Sequence, residues 1–186
     1  ESALELNTTG ATNVAVGRET LAANTTASDN TGVGYRALTA NTTGAENTAV
    51  GSGALDANTT ASGNSAFGKD SLGVNTTGSS NAAYGSNSLK VNTTGASNVA
   101  IGIGALQANT TASNNTAVGK SALTANTTGA KNVAVGTNAG DASTTANHNT
   151  FIGYDAGTQN TTAGNNTFVG ERAGLNNTTG DESVAV

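Results

Sequence analysis

The chain has 186 residues and a formal net charge of −5, with 10% charged and 3% aromatic residues and no Pro, Cys, Met or Trp. The 35% hydrophobic fraction is mostly alanine, so the large side chains that fill the core of an ordinary globular enzyme are scarce. This composition excludes a disulfide scaffold, a cysteine metal site, a transmembrane helix and a basic surface for nucleic acid or anionic membrane.

A repeat of 17 residues runs through the whole sequence without insertion or deletion. We number its positions from the Asn of the tripeptide Asn-Thr-Thr, which the ninth copy replaces with Ser143-Thr144-Thr145. Glycine recurs at position 11 from Gly17 to Gly170, and asparagine recurs at position 7 from Asn13 to Asn166. A strict period indicates that every unit has an equivalent place in a stack, and 17 residues suit one coil of a solenoid better than a helical repeat or a propeller blade.

Along one unit, Asn47–Gly51 and Ala54–Ala57 each have the pattern of a short strand. The Asn-Thr-Thr-Gly and Gly-x-x segments between them are typical of turns, because Asn and Gly tolerate positive φ. The sequence therefore predicts an all-β fold, a parallel β-solenoid (β-roll or β-helix) of about eleven 17-residue coils. At about 4.8 Å per coil, the rod is about 50 Å long.

Two repeat positions indicate where the core lies. Position 15 is leucine in the first eight coils and glycine in the last three, at Gly140, Gly157 and Gly174. Position 9 is small except at two C-terminal coils, where it is phenylalanine. Since packed volume is conserved in a core, positions 9 and 15 are predicted to share one. The predicted core residues are Leu21, Leu38, Leu55, Leu72, Leu89, Leu106, Leu123, Phe151 and Phe168.

Position 10 is apolar in every coil, and strand side chains alternate between faces, so it should point away from that core together with position 8. An apolar ridge along a rod normally marks an interface. Ordering the backbone costs conformational entropy, and a core of alanine with one leucine per coil buries little apolar surface to offset it. We therefore expect an oligomer that associates through this ridge. Its residues are Val16, Val33, Val50, Phe67, Tyr84, Ile101, Val118, Val135, Ile152, Val169 and Val186.

We interpret residues 1–186 as one repeat array, with leucine-type coils over 1–133 and Gly/Phe-type coils over 134–186. Neither end carries a capping segment, and open strand edges aggregate unless they are covered. We therefore expect the stack to be continued, either by flanking parts of a longer chain or by another copy in a filament.

The segments Asn13–Gly17, Asn98–Gly102 and Asn132–Gly136 resemble the head repeats of trimeric autotransporter adhesins, which carry a Ser/Asn-Val-Ala-Ile-Gly pentad in each coil. The longer unit over residues 115–123 is also similar to repeats in bacteriophage tail fibres. The resemblance covers essentially the whole chain. It implies a left-handed β-roll, a homotrimer with positions 8 and 10 facing its interior, and an extracellular, cell-surface or virion location.

Several residues are candidate sites of chemistry. The asparagines of the Asn-Thr-Thr tripeptides are formal N-glycosylation sequons, although Asn and Thr equally suit turns and stacked hydrogen-bonded ladders. Those asparagines are Asn7, Asn24, Asn41, Asn58, Asn75, Asn92, Asn109, Asn126, Asn160 and Asn177. Three further sequons begin at Asn114, Asn165 and Asn176. The asparagines of position 7 are expected to form an internal amide ladder rather than to ligate a sugar or an ion.

The titratable residues predict neither a catalytic site nor a metal site. His148 is the only histidine and has no triad partners. The acidic residues are scattered, and no repeat position carries one in every coil, which argues against repeated calcium sites. Tyr35 and Tyr154 share position 12 seven coils apart and are expected to be isolated surface aromatics. No cofactor is expected.

Three functional hypotheses remain open. The first is a structural rod of an adhesin or phage tail fibre, which holds a tip away from the surface and contributes to attachment to a host glycan or protein. The second is an extracellular filament of subunits stacked end to end. The third is an ice- or glycan-binding solenoid with a regular threonine array. Insertion into a membrane and binding of nucleic acid are not expected.

Overall fold

The computed structural model describes residues 2–186, so the first residue of the predicted array lies outside the described residues. Eleven short strands form one parallel sheet, and each strand pairs only with its neighbours in the sequence. In chain order, β1 to β11 are Val14–Val16, Thr31–Val33, Thr48–Val50, Ser65–Phe67, Ala82–Tyr84, Val99–Ile101, Thr116–Val118, Val133–Val135, Thr150–Ile152, Thr167–Val169 and Val184–Ala185.

The strands pair at the period of the sequence. Thr48 of β3 lies beside Ser65 of β4, and Val50 lies beside Phe67, so each residue is opposite its equivalent one repeat later. Because every coil makes the same step, the chain is a parallel β-solenoid with 17-residue coils and about ten turns between its first and last strands. Residues 2–186 contain no helix.

The prediction of two strands per coil is wrong. The segment Ala54–Ala57 and its equivalents are turns. Positions 13 and 15 both adopt left-handed backbone conformations, as at Asn87 with φ 60° and Leu89 with φ 48°. Alternating left-handed residues bend the segment into an arc, although it still contacts the next coil through the Leu89 N–H, which donates to the Ala105 carbonyl at 3.0 Å.

The core lies between the inner side of the sheet and this arc. The position 9 side chains from Ala49 to Phe168 are buried, and so are the leucines from Leu21 to Leu123. These residues belong to one apolar cluster with the small residues of position 14, such as Ala105. Positions 9 and 15 therefore share one core.

The exchange of volume in the C-terminal coils is visible in atomic contacts. The Phe151 ring lies between two glycines of position 15, since a Cβ added at Gly140 would be 2.5 Å from its Cδ2 and one added at Gly157 would be 2.6 Å from its Cδ1. The Phe168 ring stacks on that of Phe151 with centroids 5.6 Å apart. Both glycines have positive φ, at 60° and 64°, which glycine adopts without the cost that leucine incurs at the same position.

Candidate functional site

The outer face of the sheet is the candidate functional site, and it is formed by repeat positions 8 and 10. Every position 10 side chain is half-buried or exposed, with Val16 58% and Ile101 42% exposed. The alternation of side chains along each three-residue strand produces this arrangement, because position 9 points into the core. The structure thus places the whole predicted ridge on the surface of the single chain.

No charged residue occurs in β1 to β11, so the outer face is an uncharged stripe that runs along the rod. Valine, isoleucine and threonine occupy most of it. Charged side chains lie beside the stripe at positions 6 and 12, for example Asp29 and Glu46 at position 6 and Lys69 and Lys120 at position 12, all of them exposed. Depletion of charge at the centre with charge around it is the usual composition of a protein–protein interface.

Two stacked rings interrupt the stripe. Phe67 of β4 and Tyr84 of β5 have ring centroids 4.8 Å apart and planes inclined by 7°. Beside them on the same face, position 8 holds its two smallest residues, Ser65 and Ala82. Ser65 and Ala82 were not among the residues predicted from the sequence. The signal that identifies them is that the smallest members of position 8 coincide with the largest members of position 10.

A second exposed row consists of the threonines at position 3, which are exposed in all eleven coils. The threonines at position 2 are mostly half-buried, and their hydroxyls donate to the carbonyl of the equivalent residue in the next coil, as from Thr42 to Thr59 at 3.0 Å. The two adjacent threonines of each coil therefore differ in role, since only the position 3 hydroxyl remains free for an external contact.

The asparagines of the Asn-Thr-Thr tripeptides are structural. Asn58 is fully buried, and its Nδ2 donates to Asn41 Oδ1 at 2.8 Å and to the Ala61 carbonyl at 3.0 Å. Asn24, Asn41, Asn58, Asn75, Asn92, Asn109, Asn126 and Asn160 all have 0% exposure. A glycan cannot be attached to these eight amides in the folded chain, so the glycosylation hypothesis is wrong for them. Asn7 and Asn177 are half-buried at the two ends of this row.

The asparagines of position 7 form the expected second amide ladder. Asn64 donates its backbone N–H to Asn47 Oδ1 at 3.0 Å, and Asn47 Nδ2 donates to the Ala61 carbonyl at 2.9 Å. The ladder satisfies backbone and side-chain polar groups that the turns would otherwise bury without partners. The exposed sequons Asn114, Asn165 and Asn176 belong to neither ladder.

The position 1 ladder is interrupted at the coil that lacks the tripeptide. Ser143 is fully buried, and neither its hydroxyl nor the side-chain oxygen of Asn126 has a hydrogen-bond partner. A serine side chain is too short to extend the row of amides that reaches from Asn7 to Asn126.

The charged side chains form small surface ion pairs. Arg36 lies 3.6 Å from Glu19 and 3.4 Å from Asp56, and Lys90 lies 3.5 Å from Asp70. Burial raises the pKa of Asp56 above its ordinary value, against the opposing effect of Arg36. Among residues 2–186 there is no group of three or more acidic or histidine side chains that would hold a metal ion.

The remaining candidates are isolated. His148 is exposed at a turn. Tyr35 is exposed and contacts Arg18, whose guanidinium lies 5.7 Å from the ring centroid, while Tyr154 is exposed seven coils away.

Residues 2–186 enclose no cavity or cleft, and none of their segments forms a helix able to span a membrane. Comparison of the chain with models of known protein families, with curated protein sequences and with solved structures gives no match.

Proposed function

We propose that this chain is the rod segment of an extracellular or virion surface fibre, in which three copies associate side by side through the outer faces of their sheets. The observation that carries the proposal is the uncharged apolar stripe along the rod. Single chains rarely expose a contiguous apolar patch of more than about 300–600 Å² unless it is an interaction site.

The outer face is large enough for an interface. Eleven strands spaced by about 4.8 Å, each about 10 Å long, give a flat area of about 500 Å² per rod. Two copies that covered this face completely would bury about 1,000 Å² in total, which is the lower limit for a specific interface. The choice of three copies rests on the resemblance to the head repeats of trimeric adhesins.

Mechanically, such a rod resists bending and extension because each coil is joined to the next by strand hydrogen bonds and, except at Ser143, by two amide ladders. Amide ladders stiffen stacked coils in the same way that they stiffen other stacked parallel sheets. A fibre built on it would hold a terminal attachment domain away from the particle or cell, with the exposed flanks free to contact a host glycan or protein.

Light scattering in dilute solution tests the proposal. The expected molar mass is three times the 17.9 kDa of one chain. The variant Val118→Lys/Val135→Lys places two charges on the outer face and should be monomeric, with an unchanged circular dichroism spectrum. The matched control Thr111→Lys/Thr128→Lys adds the same charges to the exposed position 3 of the same two coils and should remain trimeric. A monomeric wild type, very large species, or equal dissociation of both variants would overturn the proposal.

The exposed threonine row supports a second candidate, an ice-binding solenoid. One free threonine per coil at a spacing of about 4.8 Å, with further threonines on the outer face, provides a regular array of hydroxyl and methyl groups. Thermal hysteresis of the wild type, lost in Thr111→Lys/Thr128→Lys, would favour this candidate over the fibre.

A further inference from the structure

A rod of equivalent coils creates a problem of register for lateral association. In nine of the eleven coils position 10 is valine or isoleucine. A neighbouring copy that slides along the rod by one coil, about 4.8 Å, therefore finds nearly the same surface. A closed symmetric oligomer requires that all copies lie at the same level, because staggered copies leave unpaired coils and produce open assemblies.

The coils of β4 and β5 are the exception. We call Phe67 and Tyr84 the aromatic pair, and Ser65 and Ala82 the small pair. The two residues that gain volume at position 10 are accompanied by the two that lose most volume at position 8. In the core of this chain the same kind of compensation links Phe151 to Gly140, where the two residues are in contact. Compensation of volume is a requirement of packed surfaces, whereas a surface in contact with water does not need it.

The chain itself does not fully cover this part of the outer face. Tyr84 is 41% exposed, and Ser65, Phe67 and Ala82 are only half-buried. A side chain from outside can therefore contact all four residues. Because serine and alanine are smaller than the threonine or valine of other coils, we expect an aromatic ring from a parallel copy at the same level to pack over the small pair better than a valine does.

We infer that the aromatic pair and the small pair fix the axial register in which copies of this chain associate, with the rings of one copy packed over the small pair of its neighbour at the same level. The inference rests on the proposed function, since it requires lateral association through the outer face. It identifies the partner that covers the outer face as a second copy of this chain, which runs parallel to the first and lies at the same axial level.

Two variants test the inference. The first, Ser65→Thr/Phe67→Val/Ala82→Val/Tyr84→Val, removes the aromatic and small pairs and uses residue types that other coils carry at the same positions. The second adds Thr116→Ser/Val118→Phe/Val133→Ala/Val135→Tyr, which rebuilds both pairs three coils further along the rod. The second variant has the same amino-acid composition as the wild type, so it controls for total hydrophobicity.

Native mass spectrometry of the wild type refolded together with the second variant, one of them isotopically labelled, measures the preference for register. Each should form its own trimers, with mixed trimers on the order of tenfold below the statistical proportion. Mixed trimers at the statistical proportion would overturn the inference and leave the proposed function intact. A monomeric wild type would overturn both.

A second measurement does not depend on the folding of the second variant. The chain has no cysteine, so a single cysteine at the exposed Lys120 accepts a spin label. Pulsed electron resonance should give one narrow distance between copies of the wild type. The first variant should give a broader distribution with a tail at longer distances, because copies staggered by several coils of about 4.8 Å add an axial offset to the lateral separation of the labels. An equally narrow distribution in both would overturn the inference.

Discussion

The side-chain oxygen of Asn126 and the hydroxyl of Ser143 are both buried, and neither makes a hydrogen bond. The two residues occupy adjacent places in the position 1 ladder, which is continuous on the N-terminal side of Asn126. Ser143→Asn should extend the ladder, since its new amide would donate to Asn126 Oδ1 as Asn126 Nδ2 donates to Asn109 Oδ1 at 3.0 Å. Satisfying a buried polar atom is worth about 1–3 kcal/mol.

Thermal unfolding followed by circular dichroism checks this prediction. A gain of that size should raise the melting temperature of Ser143→Asn by several degrees. Ser143→Ala is the matched control, because it removes the hydroxyl and leaves Asn126 without a partner, so its gain should be smaller. A melting temperature of Ser143→Asn below that of Ser143→Ala would contradict the prediction.

The exchange of core volume predicts strong coupling between Phe168 and Gly174. Phe168→Ala alone leaves a cavity and should lower the free energy of unfolding by about 3–5 kcal/mol. Gly174→Leu alone forces a side chain into the ring, because an added Cβ would already collide with it, and should cost about 1–3 kcal/mol or more. The double variant recreates the Ala/Leu combination of the coils that contain Leu55 and Leu106 and should recover most of the loss.

Urea unfolding of the four proteins gives the interaction free energy of this pair. The pair should show a coupling of more than about 1 kcal/mol, since residues in contact are not additive. Additive losses would mean that positions 9 and 15 do not compensate one another.

The glycines at position 11 are predicted to be irreplaceable. Gly102 has φ 130°, and a Cβ added there would lie 2.5 Å from the carbonyl oxygen of Gly119 in the next coil. Gly102→Ala should cost at least about 1–3 kcal/mol from the backbone conformation alone. Gly63→Asn is the control. Gly63 has φ 69°, an added Cβ would lie no closer than 3.8 Å to another atom, the Ser80 hydroxyl, and Asn114 occupies the equivalent position with φ 63°. Differential scanning calorimetry should show a large loss for the first variant and almost none for the second.

The environment of the Asp141 carboxyl predicts that the stability of the folded chain depends on pH. Burial raises the pKa of its carboxyl above the ordinary 3.8, and the Asp155 carboxylate raises it further against an opposing backbone hydrogen bond from Ala142. The folded chain therefore holds this proton more tightly than the unfolded chain. The contribution of Asp141 to stability is most favourable below pH 3.8 and declines as the pH rises through the raised pKa.

Asp141→Asn removes that penalty, so it should unfold at a higher temperature than the wild type near pH 7 and at nearly the same temperature near pH 3. Melting curves across this range check the prediction, with Glu171→Gln as a control at an exposed carboxylate. An advantage of Asp141→Asn that is constant with pH would contradict it.

Much of this architecture could be predicted from the period alone. An unbroken 17-residue step requires equivalent coils, and equivalent coils in a stack require parallel in-register strands. The exchange of Leu for Gly at Gly140 and Gly157 with the gain of Phe151 identified which side of the strand faces inward, because a packed core conserves volume. The outer face followed from that assignment by alternation.

Other features depended on the tertiary structure. The arc around Leu89 has left-handed leucines, a conformation that leucine disfavours in isolation and that core packing enforces here, so local propensity wrongly predicted a strand. The burial of Asn58, which excludes a glycan, depends on contacts with Asn41 and Ala61. The sequence by itself determined the repeat, the stacking of the coils and the two faces of the sheet, because these follow from periodicity. Only the tertiary structure decided the backbone conformation between the strands and the hydrogen-bond partner of each amide, because both depend on contacts between residues of adjacent coils.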